Sequence, residues 1–353
     1  MTVCIGGCVY SFKDSSEKWI EGSVPADLFI TSSARVGGVS NVAMKPDFAD
    51  ELARIPGMGR IDFVRIYPHD ALGLRIFIVS LNPDIYYARG KPTFLEGAPP
   101  TPGEASNRRL AISQNLSRRR NLHKGDSFSM RTPSGERSYE VSAVIRDYTS
   151  DQGTVFMDRR LFIEDFKDDR VDTFELYLDD PSKLDPVRRA ITERFGKSRN
   201  LYVLSNHELR DEAFNMLEDA FSVTYAMEGV AMLLALLGVV NTLLAAVLDR
   251  TREIGLLRAV GADRGHIVRL FSGEAALIGV TGGVLGVLGG VATGVILTWV
   301  VGTQATGWSF PYLFPWRLSL QMVSAASVCA VVAGLYPARR AAGLDVVEAL
   351  AYE

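Results

Sequence analysis

Apolar and polar positions divide the chain into two unlike parts. Up to about residue 225, short apolar runs alternate with charged stretches; beyond it lie three long apolar runs at residues 229–248, 275–301 and 318–336. About 20 helical residues, rising about 1.5 Å each, match a hydrocarbon core of about 30 Å. Each run therefore reads as a membrane span. The first 12 residues are apolar too, but cover only about half a bilayer and lack the basic start and small-residue cleavage site of a signal peptide. They read first as the tail of an earlier span, with residues 1–19 as its remnant and connecting segment; an interfacial helix is the alternative.

The charged part predicts an α+β domain over residues 20–204. Strands are expected at 27–31, 61–66, 74–81, 127–131, 139–146, 153–157, 171–177 and 201–204. Helices are expected at 46–54, opened by Pro46, at 107–121, from Asp158 to about residue 166, and from Asp185-Pro186 to about Gly196. Pro133-Ser-Gly135 marks a hairpin, and the proline-rich stretch 97–103 divides the domain into two lobes. Ser205 and Glu208 have capping-box spacing, and no proline follows before Arg250. One helix of about 45 residues, roughly 65 Å long, should begin there. Its first part, 205–228, carries Leu209, Ala213, Leu217, Ala220 and Phe221 at helical spacing as an amphipathic stalk, and its second part spans the membrane.

Between the first two runs lies a polar island, residues 249–270, with five arginines against three acidic residues; the loop at 302–317 has only Arg317, and the tail at 337–353 has Arg339 and Arg340. Positive charge marks the cytoplasmic side, and long domains translocate regardless of charge. The island and the tail are therefore cytoplasmic, and residues 20–204 are extracytoplasmic. Within the island, residues 251–260 predict a short helix ended by Gly261, with Asp263 capping the next helix. By itself this is equally an amphipathic loop resting on the membrane or a docking helix. Gly282, Gly286, Gly290 and Gly294 repeat the small-xxx-small spacing that lets helices approach closely in lipid; packing among the spans and a dimer interface compete evenly.

Candidate chemistry adds little. The formal charge of -3 is too small to imply a nucleic-acid partner, and none is expected. Gly196-Lys-Ser198 has Ile191 where a phosphate-binding loop needs glycine, and His207-Glu208 has Asp211 where a zinc protease needs a second histidine. Cys4, Cys8 and Cys329 lie in apolar surroundings and read as packing residues. Arg118, Arg119, Arg120 and Lys124 read first as a solvated face. No nucleophile is paired with a base, so no catalytic residue, metal site or cofactor is assigned.

The string REIGLLRAVGA at 252–262, Glu274 and the glycine-rich span after it, YPARRAA at 336–342 and VEAL at 347–350 strongly resemble the FtsX-like permease family of ABC transporters. LHKGD at 122–126, the hairpin at 133–135 and residues 153–158 resemble the periplasmic core domain of MacB-type permeases. The resemblance implies a transmembrane permease subunit of the cell membrane, multi-pass, with ATP and Mg bound and hydrolysed on a separate ATPase. It implies docking of that ATPase through Arg252, Glu253, Ile254, Leu257, Arg258 and Gly261. It also implies a second permease copy or paralogue, contact with membrane lipid and room for an extracytoplasmic protein partner. The function implied is transmission of ATP-driven motion to the extracytoplasmic domain, to export or extract a lipid, lipoprotein or peptide. The alternative is a membrane-anchored regulator that activates an outer partner, such as a cell-wall hydrolase, without moving a substrate.

Overall fold

The structure is a computed structural model that describes residues 1–32, 42–98, 108–196, 199, 201–249, 253, 256, 257 and 259–342. Two compact units emerge. A helical unit comprises Met1–Phe12, Glu218–Thr298 and Pro311–Glu353; a sheet unit comprises Lys13–Leu217 and Trp299–Phe310.

Helix α1 (Thr2–Ser23) begins in the helical unit and enters the sheet unit at Lys13, where it leads into β1 (Leu28–Thr31), α2 (Phe48–Leu52), β2 (Met58–Ala71), β3 (Leu74–Leu81), α3 (Pro83–Arg89) and β4 (Phe94–Gly97). There follow β5 (Arg109–Ser113), α4 (Gln114–Arg120), β6 (Ser127–Thr132), β7 (Gly135–Ile145) and β8 (Thr154–Asp158). Then come α5 (Arg159–Phe166), β9 (Thr173–Leu178), α6 (Leu184–Ile191) and β10 (Tyr202–Ser205). The strands form one mixed sheet in the order β10-β1-β9-β2-β3-β8-β5-β7-β4, with β6 on β7. The β3–β8 and β5–β7 pairs are parallel and the others antiparallel. Thus the α+β expectation holds.

The two sequential lobes do not form. Strand β2 is long enough to serve both halves of the sheet: it pairs with β9 from Met58 to Val64 and with β3 from Arg65 to Ala71. One core packs Leu28, Ile30, Phe174 and Leu176 with Val187 and Ile191 of α6. Another packs Ile76, Ile78, Leu110 and Val155 with Leu161 and Phe162 of α5. The chain leaves the first half at Val64 and returns at β9, so the halves are interleaved. A boundary of that kind is set by long-range pairing, and no loop composition marks it.

Local predictions fare better where a cap or turn carries them. The hairpin closes with Thr132 opposite Gly135, whose φ is 104°. The Asp158 carboxylate accepts from Arg160 N at 2.7 Å and so caps α5. The helix expected at 107–121 is half strand: Leu110, Ala111 and Ile112 are fully buried as β5, and only 114–120 are helical. A short, wholly buried apolar run has no period that separates strand from helix. Helix α3, with Asn82 capping Asp84 N at 3.1 Å, and strand β4 lie outside the predicted elements.

Among the described residues three long helices follow: α7 (Asn206–Asp249, 44 residues), α8 (Arg264–Val300) and α9 (Trp316–Ala342). The capping box that predicts α7 is formed both ways. Glu208 Oε2 accepts from Ser205 N at 3.0 Å, and Ser205 Oγ accepts from Glu208 N at 3.3 Å. At about 1.5 Å per residue α7 is about 66 Å long. Among the described residues two stretches are long and apolar enough to cross a bilayer, Arg264–Gln304 and Trp316–Tyr336; the apolar part of α7, Gly229–Thr242, is shorter. The three-span count is therefore met by two on length and composition. Leu277, Leu285, Leu288 and Ile296 of α8 and Leu320, Val328 and Val332 of α9 are largely exposed. Apolar surface of that extent needs a nonaqueous neighbour.

Candidate functional site

The polar island closes into a tight corner. Val260 N donates to Leu256 O at 3.1 Å, and Ala262 N donates across to Leu257 O at 3.0 Å. Gly261 between them has φ of 108°. This is the closure expected when a left-handed residue ends a helix. Asp263 follows at once as a cap, its Oδ1 accepting from His266 N at 2.6 Å at the start of α8. The carbonyls of Leu256 and Leu257 and the amide of His266 thus find partners within the corner. Leu256, Leu257 and Val260 are exposed on the corner, Val260 by 88%.

Of the predicted docking residues, Glu253 and Leu257 are exposed and Gly261 forms the corner. Arg252, Ile254 and Arg258 lie outside the described residues.

The four predicted packing glycines separate into two pairs. A Cβ added at Gly290 would meet Val3 Cβ at 3.0 Å, and one at Gly294 would meet the Tyr312 ring at 3.0 Å. Gly282 and Gly286 have nothing within 4 Å. The close contacts nearer the corner fall instead on Gly279, where a Cβ would lie 2.7 Å from Ser327 Cα, and on Gly283, 3.2 Å from Val323 Cα. The buried positions of α8, Ile267, Phe271, Ala275 and Gly279, advance by four residues. The sequence shows several glycines in register, but which register faces α9 depends on where α9 lies.

A second feature lies within the sheet unit, where the segment Trp299–Phe310 after α8 is packed onto the sheet domain. The Trp308 indole N–H donates to Ser150 O at 3.3 Å, and the Tyr148 hydroxyl donates to Ser309 O at 3.4 Å. Tyr148 also meets the rings of Trp308, Phe310 and Trp19 with centroids 5.6, 5.2 and 5.7 Å apart. Gly307, at φ 73°, lies so close to Asn115 that a Cβ there would come within 2.8 Å of Asn115 Cβ. Asn115 is itself buried, with its amide donating to Ser150 O at 2.6 Å. Sequence reasoning passed over this clamp, although the run of Trp308, Phe310 and Tyr312 beside Gly307 in an otherwise short loop is a readable sign.

Charge inside the sheet unit is mostly paired. Arg65 bonds Asp172 at 2.7 Å and Asp168 at 3.1 Å, while Arg170 holds Asp168 from the other side at 2.8 Å. The guanidinium of Arg170, with help from Arg65, keeps the Asp168 carboxyl well below the usual carboxylate range. Burial pushes Asp172 up despite its Arg65 partner. Asp165, fully buried, accepts from the Tyr139 hydroxyl at 2.7 Å and from Arg108, tying α5 to the β6–β7 hairpin. These groups join elements of the fold.

Residues 226–346 match the FtsX-like permease C-terminal family. An uncharacterized ABC transporter permease protein of Mycobacterium tuberculosis is 25% identical over 355 residues, covering 98% of this chain and 41% of that protein. The macrolide export ATP-binding/permease protein MacB of Sodalis glossinidius is 41% identical over 38% of this chain and 20% of its own length. The uncharacterized ABC transporter permease YknZ of Bacillus subtilis is 31% identical over 45% of this chain and 41% of its own. The chain spans less than half the length of each of these relatives. Among solved structures, the periplasmic region of MacB from Actinobacillus actinomycetemcomitans aligns over 56% of this chain and 96% of that one, with a TM-score of 0.40 and 10% identity. The extracellular domain of YknZ aligns over 51% of this chain and 99% of that one, with a TM-score of 0.36 and 11% identity. The family match contains the corner and both long apolar helices, so residues 226–346 form an FtsX-like permease C-terminal domain, and the chain that carries it is similar to ABC transporter permeases.

Proposed function

We propose that the chain transmits the motion of a separate ABC-type ATPase, which binds and hydrolyses ATP with Mg, to an extracytoplasmic sheet unit. The chain itself holds no cofactor in this scheme. The segment 251–260 docks on the ATPase through Arg252, Glu253, Ile254, Leu257 and Arg258, with Gly261 as its stop. Residues 229–248, 275–301 and 318–336 cross the cell membrane, so that the protein is multi-pass with the island and tail in the cytoplasm. The observation that carries the reading is the closed corner, which lies inside the family-matching segment and presents Leu256, Leu257 and Val260 outward.

Helix α7 is the natural transmitter. It is one uninterrupted element that starts in the sheet unit at the Ser205–Glu208 capping box and ends at the island. Helices have few soft internal degrees of freedom, and their backbone hydrogen bonds run along the axis. The clamp at Trp308 gives the sheet unit a second tie to the chain that leaves α8. Displacement of the sheet unit exports or extracts a lipid, lipoprotein or peptide. A second permease copy or a paralogue completes the assembly, with Gly282 and Gly286 the face of α8 left open.

The test is co-purification of the full chain with its ATPase, followed by ATPase assays in lipid. Leu257→Glu and the double charge reversal Arg252→Glu with Arg258→Glu should lose association and stimulation together. Unchanged association and stimulation in both variants would refute the docking assignment.

A further inference from the structure

In the sheet unit, β2 and β9 are paired so that Asp62 stands directly opposite Glu175. Directly opposed residues of an antiparallel pair share one face, with Cβ atoms about 4.5–5.5 Å apart, and like charges in that position repel. On its other side Glu175 stands opposite Phe29 of β1, and the same face carries Tyr177, Ile85 and Ala26 in a buried cluster. Asp62 is 3% exposed. Among the described residues no ion pair reaches either carboxylate. Asp62 Oδ1 accepts from the neighbouring Phe63 N at 2.8 Å, and Glu175 Oε2 accepts from the Tyr177 hydroxyl at 3.0 Å.

The other charged and titratable groups facing the pair do not balance it. Arg60 on β2 and Arg159 on α5 favour the ionised form of Asp62, as does the backbone of Asn82. Arg89 of α3 lies 5.1 Å from the centre of the Tyr177 ring and makes no ion pair with Glu175 among the described residues. Tyr86 of α3 is held protonated by its own burial and by the charges of Asp147 and Glu175. Burial prevails at both sites. It pushes Asp62 up to about 6, and burial followed by the charge of Asp62 pushes Glu175 up to about 7.

The position of the pair gives it a consequence. It lies on the only stretch of β2 that joins the half of the sheet built on β1, β9 and β10 to the rest, since from Arg65 onward β2 pairs with β3. We propose that the opposed Asp62 and Glu175 carboxyls form a proton-binding site, and that releasing its proton to bulk water loosens the β2–β9 seam between the two halves of the sheet unit. Mildly acid surroundings tighten the seam and alkaline surroundings slacken it.

The direction follows from linkage. A carboxyl whose folded value is raised contributes full stability below its ordinary range, near 4, and loses it as pH climbs through the raised value. The window here runs from about pH 4 to about pH 7. Raising a carboxyl's titration by one pH unit changes the opening equilibrium about tenfold, so opening of the seam should rise by roughly tenfold to a hundredfold between about pH 5 and about pH 8.

The experiment uses the full chain in lipid nanodiscs. Infrared spectroscopy follows the carbonyl stretch of protonated carboxyl groups from about pH 5 to about pH 9, and hydrogen exchange follows the amides of residues 61–64 and 173–176 against those of the β6–β7 hairpin. The expected result is a protonated-carboxyl band at about pH 6 that is lost as pH rises past about 7, with exchange at the seam accelerating beyond that of the hairpin. Glu175→Gln keeps the shape and the acceptor for Tyr177, and it should weaken that band and flatten the extra pH dependence. Absence of the band in the wild-type chain at about pH 6 would overturn the proposal. So would its loss without any change at the seam, or an unchanged pH dependence in Glu175→Gln.

Discussion

Gly261 and Gly273 offer a direct comparison of backbone conformation with space. Neither has any atom within 4 Å of an added Cβ, yet Gly261 sits at φ 108° while Gly273 lies inside α8 with an ordinary helical backbone. At either position an added Cβ clears the described atoms beyond its own chain neighbours and helix backbone. At Gly261 the left-handed conformation of a β-branched residue costs about 1–3 kcal/mol, which lowers the population of the closed corner by about 5- to 150-fold. At Gly273 the change replaces a poor helix former and costs nothing of that kind. The amides of Val260 and Ala262, which donate to Leu256 O and Leu257 O, report on the corner directly. In nanodiscs, hydrogen exchange at these two amides should speed up by that factor in Gly261→Val and stay unchanged in Gly273→Val. If ATPase stimulation passes through the corner, it should fall in the first variant alone. Equal exchange in the two variants would refute the claim that the positive φ holds the corner closed.

Four further outcomes are expected. Gly279→Leu should lower the melting temperature of the chain in detergent because its side chain is driven into Ser327 and Ala330, at a cost of at least about 1–3 kcal/mol, whereas Gly286→Leu should leave it unchanged. Arg65→Ala leaves Asp168 and Asp172 without their shared partner in a buried site and should destabilise the sheet unit by about 3–5 kcal/mol, read by urea unfolding. Because the Asp168 carboxyl is held low by Arg170 and Arg65, its contribution is present above the ordinary carboxylate range and should fade as pH falls below about 4, a dependence that Asp168→Asn should reduce. Trp308→Ala removes the ring from Tyr148 and the bond to Ser150, and faster proteolysis of residues 299–310 with α7 intact should follow.

Features carried by local chemistry were legible in the chain. Ser205 and Glu208 three residues apart specify the start of α7, and the absence of proline up to Arg250 specifies its continuity. Gly261 followed by Asp263 specifies the corner, because each acts on backbone groups within a few residues of itself. Of the glycines in register, Gly290 and Gly294 lie against Val3 and Tyr312, whereas Gly282 and Gly286 have no described atom within 4 Å of an added Cβ. The ATPase docking residues came from family likeness in the same segment, since exposure and charge alone fit a loop lying on the membrane equally well.

What tertiary structure decided was every relation between distant parts of the chain. Residues 109–113 are a strand because β7 and β8 flank them, and β2 bridges both halves of the sheet because β9 returns to it after more than a hundred residues. Gly279 and Gly283, not Gly282 and Gly286, touch α9 because a helix face is chosen by its neighbour. Asp62 and Glu175 become a pair only through the β2–β9 register, in which a slip of one residue would turn one of them to the opposite face. Caps, turns and apolar length act within one or two turns of backbone and are written in the sequence by itself; register, burial and charge pairing are properties of surfaces that exist only once the chain has folded.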